Sequence, residues 1–140
     1  MSIYLNYQPS PKDPNPWWHP YVYQRLTQVR NPSSSKALVF AEEHPNSIQA
    51  CMFYVPGGEP SAFHLPNVPR WTWVSFPSTR HHNAGTLSFA DGHVEECHWR
   101  EPNTLETAKR NGYLLVQSAV PNTDRDLSRL MDLVPREPVR

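Results

Sequence analysis

Sixteen prolines are spread through 140 residues, about twice the usual share. Proline has no amide hydrogen and clashes with the preceding turn, so it ends or kinks any helix that meets it. The proline positions therefore cap helix length along the whole chain. The widest proline-free interval, Pro77 to Pro102, carries turn and strand signals rather than a helical stripe. A long helical bundle or a coiled coil is excluded. What remains is a fold of short elements and long loops.

Charge narrows the function classes. Thirteen basic residues balance thirteen acidic ones, which gives no electrostatic footprint for wrapping nucleic acid or lying on an anionic membrane. No run of 18 apolar residues occurs, and no basic start leads into an apolar stretch. Direct membrane insertion and a secretory signal are therefore not expected. The polypeptide as given is expected to be soluble, and cytoplasmic in the absence of a signal. Apolar residues make up 38% of the chain, but five Trp, six Tyr and five Phe enlarge the area available to one small core. Cys51 and Cys97 fit neither a disulfide framework nor Cys-x-x-Cys zinc spacing. Two separate thiols are expected rather than a bridge.

The whole chain reads as a single domain. Residues 1–30 form a leading segment: a short alternating run (Ile3, Leu5, Tyr7), then five prolines around Trp17 and Trp18. Tyr21–Val29 fits either a strand or one helical turn. Ala37–Glu42 and Gln49–Val55 are apolar runs of β-formers, separated by His44-Pro45-Asn46-Ser47, and suggest an antiparallel pair. Trp71–Ser75 reads as a short strand with Trp71 and Trp73 on one core-facing side.

The clearest local signal lies between Gly85 and Trp99, where Asp91-Gly92 separates two β-rich runs. Asp-Gly in that setting marks a hairpin. A two-residue loop would place Phe89 opposite Val94 and Leu87 opposite Glu96, with Phe89 and Val94 sharing the core face. Near the C-terminus, Thr123 and Asp126 have capping-box spacing. Leu127, Leu130, Met131 and Val134 follow at helical intervals until Pro135, so a helix is expected over 123–134. These elements give an α+β class: a small antiparallel β-sheet domain with long proline-rich loops and a short C-terminal helix.

The segment Arg80-His81, nine further residues, then Asp91-Gly92-His93-Val94 resembles the C-terminal signature of bacterial prepilin-like proteins, a group similar to type II secretion pseudopilins. Glu42-Glu43-His44-Pro45-Asn46-Ser47-Ile48 resembles that group's acidic strand end, with Asn46 where Asp is more usual. Trp99-Arg100-Glu101-Pro102 resembles the segment after the hairpin, and Asp124–Leu130 the closing helix. The resemblance runs from about Asn31 onward. Family members begin with a processed leader and a long apolar helix, are anchored in the inner membrane and carry a periplasmic head. The resemblance here is to the head, and it implies other pilin-like or secretion-system subunits as partners. Major pseudopilins also hold a calcium ion near the end of the head, though its ligands do not map onto this sequence.

Glu43, His81, Asp91 and His93 are the candidate ligands for a divalent cation, calcium first and zinc second. Imidazoles with carboxylates suit zinc, and a carboxylate-rich version with carbonyls suits calcium. The expectation rests on the end of the Ala37–Glu42 strand packing near the hairpin. The same residues also read as a hydrogen-bonded cluster, in which Asp91 braces its own turn, His81 donates to a buried carboxylate and Arg80 pairs with Glu42 or Glu43. Ser88, and Cys97 beside His98, read as structural.

Two functions from different classes follow. The first is a pseudopilin-like head, a structural and interaction module whose loops a divalent ion would stabilise. The second is a small metal-dependent hydrolase of an ester or acyl lactone, with His81, Asp91 and Glu43 as catalytic residues around a metal-bound water. A third, an aromatic-lined sugar-binding module, rests on Trp17 and Trp18.

Overall fold

The computed structural model describes Tyr23 and residues 25–48, 53–55, 71–109 and 118–135. The expected leading segment up to Tyr21, the start of the Gln49–Val55 run, Cys51, Trp17 and Trp18 lie outside the described residues. Among the described residues, five strands and two helices follow one another as β1 (Leu38–Ala41), β2 (Thr72–Trp73), β3 (Ala84–Phe89), β4 (Val94–His98), α1 (Pro102–Lys109), β5 (Ser118–Ala119) and α2 (Arg125–Leu133). A three-stranded antiparallel sheet has the order β1-β3-β4, and β2 pairs with β5 separately. The α+β expectation is met. Within Tyr21–Val29, the described part forms one 3₁₀ turn at Leu26–Gln28.

Strand pairing adds one contact that the sequence does not announce and shifts another. Ala37–Glu42 does supply β1, and among the described residues it pairs with β3, with Leu38 opposite Phe89 and Ala41 opposite Leu87, while residues 49–52 of the expected partner run lie outside the described residues. Phe53–Val55 carries no strand; instead the Tyr54 amide donates to the Ser75 hydroxyl at 3.0 Å. β1 therefore adds to the hairpin through a contact some fifty residues away in sequence, which no local pattern announces.

The hairpin register is also shifted by one. The Phe89 amide donates to the His93 carbonyl at 3.0 Å and the Gly92 amide to the Phe89 carbonyl at 2.9 Å. Gly92 sits at φ +94°. The connection thus has three residues, Ala90-Asp91-Gly92, with glycine in the left-handed position that such loops require. Leu87 faces Glu95 and Ser88 faces Val94. Slipping by one residue turns every β4 side chain over. Val94 accordingly points out, 61% exposed, and Cys97 points into the core.

The inner face of the sheet carries Leu38, Ala41, Leu87, Phe89 and Cys97, and it packs with Trp73, Phe76, Trp99 and the apolar stripe of α2, Leu127, Leu130 and Met131. All of these are buried. Trp71 packs partly buried against the same cluster, as its shared face with Trp73 implied. The helical spacing near the C-terminus holds, but the cap is one residue later than expected. Asp124, not Thr123, accepts from the Leu127 amide at 2.8 Å, the usual way an N-cap carboxylate satisfies a free amide.

Helix α1, with the sequence PNTLETAK, adds to the expected elements. Proline is well tolerated as the first helical residue, because its missing N–H would have had no partner there. Pro102 takes that place in α1.

Candidate functional site

The signature residues occupy the two ends of β3. His81 stands in the turn just before the strand, and Asp91 stands in the turn just after it. Nine residues separate them because six form β3 and the rest form the flanking bends. A six-residue strand spans about 20 Å, so the two positions cannot share one ion or one reacting atom.

At the first end the organising group is Glu42. Its backbone amide donates to the Thr86 carbonyl at 2.9 Å, extending the β1–β3 ladder by one step. Its Oε1 pairs with Arg80 Nη2 at 2.5 Å, and its Oε2 lies 3.2 Å from His81 Nε2. The Thr86 amide adds a 3.3 Å bond to Oε2. Partial burial pushes the Glu42 carboxyl up, but the Arg80 bond, the Thr86 amide and the nearby Arg80 and His81 charges together hold it below the ordinary value. One carboxylate therefore fastens the loop preceding β3 to the end of β1.

Glu43 points elsewhere. Alternation along the chain turns it to the inner side, where it is 5% exposed and forms a bridge with Pro77. Its Oε1 accepts from the Ser47 hydroxyl at 3.0 Å. Burial raises its pKa, against the pull of hydrogen bonds from Ser47 and Ser75. Ser47 in turn accepts from the Phe76 amide at 3.2 Å, so this cluster locks the Pro45–Ser47 3₁₀ turn onto the chain at Phe76.

At the second end, Asp91 Oδ1 accepts from the His93 amide at 3.2 Å and lies 2.6 Å from His93 Nδ1. The hydrogen bond from the His93 ring, followed by its amide, holds the Asp91 carboxyl below its ordinary value. The imidazole lies flat on the Phe89 ring, centroids 4.4 Å apart and planes within 4°. Asp91 braces its own turn, as the hydrogen-bonded reading has it. His93 also borders an open groove of about 1040 Å³ between the hairpin and α2. Its lining mixes cations (Lys36, Arg125, Arg129) with acids (Glu95, Asp124, Asp132).

The structure thus joins Asp91 to His93, joins His81 to Glu42 rather than Glu43, and leaves Glu43 in a third, buried place. The convergence expected for Glu43, His81, Asp91 and His93 does not occur, because β3 holds its two turns apart. Among the described residues, no three His, Cys, Asp or Glu side chains group to hold a metal ion. Ser88 is half-buried within β3. Cys97 is fully buried, with burial pushing its thiol up to about 11, while His98 on the opposite face is exposed.

Two braces escaped the sequence reading. The Trp99 indole donates to the Ser78 carbonyl at 2.7 Å across Gly85, where a Cβ would stand 2.7 Å from that same oxygen. Asp126, read from sequence as half of a capping box, instead accepts from the backbone amides of Arg100 (2.9 Å) and Glu101 (2.9 Å). Glu101 returns the link, accepting from Arg125 Nε at 2.6 Å. The chain before α1 and the first turn of α2 are tied reciprocally. The sequence signals were Gly85 among β-formers and a second acid in the first helical turn.

Comparison of the chain with protein-family models, with curated proteins and with solved structures finds no match. No helix among the described residues is long and apolar enough to cross a membrane.

Proposed function

We propose that the chain is a pseudopilin-like globular head, a structural and interaction module whose partners are other pilin-like or secretion-system subunits. The observation that carries this reading is the placement of the signature residues. His81 and Asp91 each close a local hydrogen-bonded brace, one at either end of β3. Paired groups of this kind hold a framework rigid; they leave no nucleophile or ligand set aimed at a common point. The acidic strand end at Glu42 and the helix α2 also support the reading. They are the other pieces of the resemblance, and both pack onto the same sheet.

The test is assembly. The chain, preceded by a prepilin leader and an apolar helix, is produced in a bacterium with a type II secretion system, carrying a photo-crosslinker at exposed positions. Crosslinks to pilin-like subunits are the expected result. A folded, anchored head that crosslinks to none of them overturns the proposal. The ester and lactone hydrolase reading has no geometric support, since its three catalytic candidates stand in three places. Measurable chelator-sensitive turnover of acyl lactones, lost in His81→Ala, would reverse that judgement.

A further inference from the structure

The outward face of the β1-β3-β4 sheet carries an apolar row. Phe40 stands opposite Ser88, and Ser88 stands opposite Val94, so the three lie side by side across all three strands. Phe40 is 52% exposed and Val94 61%. Phe40 reaches this face because the β1 register shifts between Leu38 and Phe40, leaving Val39 as an extra residue. Such a bulge turns the following side chain over. Isolated exposed apolar residues are ordinary on protein surfaces. Two of them in register, with only a serine between, make a continuous strip.

The next row along the strands is charged, and its two flanks differ. On the β1 side, Glu42 gathers Arg80 and His81. On the β4 side, Glu96, opposite Thr86, pairs among the described residues with His98 at 3.0 Å. Among the described residues, the β1 flank therefore carries a permanent cation beside its acid, and the β4 flank carries an acid without one. A uniformly basic or acidic partner would meet like charge on one flank. A copy of the same face, rotated by half a turn about the direction of β3, presents each flank with the other.

We propose that this face docks a second copy of the chain, with the two-fold axis along β3. Phe40 of each copy then packs on Val94 of the other, and Arg80 of each lies toward Glu96 of the other. The contact is self-complementary and closes as a dimer. A three-stranded face is small for a specific interface, so the association is weak and reversible. The inference names a partner for the interaction role proposed above and rests on that reading.

Sedimentation equilibrium of the purified chain from about 10 μM to about 1 mM, a range suited to small interfaces, tests it. The wild type is expected to dimerise across this range. Val94→Asp and Phe40→Ser are each expected to weaken the dimer at least about tenfold, equivalent to about 1.4 kcal/mol, with melting temperatures of dilute samples unchanged. Glu96→Lys is expected to weaken it less, and less again in high salt. A wild type that stays monomeric at 1 mM (the outcome if the face serves a different partner) overturns the inference, as does a dimer indifferent to Val94→Asp. A monomer that still crosslinks to pilin-like subunits removes the inference alone. A dimer without such crosslinks removes the family reading alone.

Discussion

The indole Nε1–H of Trp99 donates to the carbonyl of Ser78 at 2.7 Å, a bond made possible by the bare α-carbon of Gly85 beneath it. Ser78 begins the loop that carries Arg80 and His81, and Trp99 follows β4. The contact therefore pins the signature loop to the far strand of the sheet, while Glu42 pins it to the near one.

Gly85→Ala tests this closeness. The added methyl would meet the Ser78 oxygen at 2.7 Å and the Trp99 ring at 3.3 Å, and neither backbone nor buried indole has room to yield. A loss of about 2–3 kcal/mol is expected, typical of overpacking. Urea unfolding gives the number.

Asp126→Ala removes the acceptor for the amides of Arg100 and Glu101, in a carboxylate only 4% exposed. Charge-assisted bonds of this kind contribute about 1.5–3 kcal/mol, so a loss in that range is expected from thermal unfolding. Asp126→Asn, which keeps one acceptor oxygen, should recover part of it.

Glu43→Gln addresses the buried carboxyl. Its pKa is raised in the folded state from an ordinary 4.5, so the folded chain holds that proton more tightly than the unfolded chain. The stability this confers is complete below the unfolded value and is lost as pH rises through the folded one. Glutamine cannot ionise. The variant should melt a few degrees higher at about pH 8, near 1 kcal/mol for a domain of this length, with no advantage at about pH 4. A variant less stable at both values would contradict the assignment.

Glu42 and Asp91 work in the opposite sense. Both are held below their ordinary values of 4.5 and 3.8. Their stabilising effect is present above those values and disappears as pH falls through the lower folded ones. Glu42→Gln and Asp91→Asn should each lower the melting temperature at neutral and alkaline pH without changing the slope there, and the difference from wild type should shrink on the acid side, which flattens.

Local chemistry was legible in the sequence and long-range pairing was not. Helix α2 could be read from Leu127, Leu130 and Met131, because helical periodicity and the Pro135 stop are written in adjacent residues. The hairpin was legible from Asp91-Gly92, but its register was not. Two- and three-residue loops share the same dipeptide, and only the Gly92 conformation and the pairing of Phe89 with His93 decide between them. The partner of β1 and the contact of Trp99 with Ser78 depend on the tertiary fold. His81 and Asp91 do not form one site, since their positions in sequence at the two ends of a strand imply separation in space. Of the hydrogen-bonded alternative the structure contains Arg80 on Glu42 and Asp91 bracing its turn, while His81 meets the part-exposed Glu42 rather than a buried carboxylate.

His81 and Asp91 act independently, each within its own brace. A double-mutant cycle measures this directly, with unfolding free energies for His81→Ala, Asp91→Ala and the pair, in calcium and in chelator. Groups at opposite ends of β3 should give losses that add in the double variant, identically in both conditions. A double variant no less stable than the worse single one, or a coupling that appears only with the metal, would show the two residues serving one site.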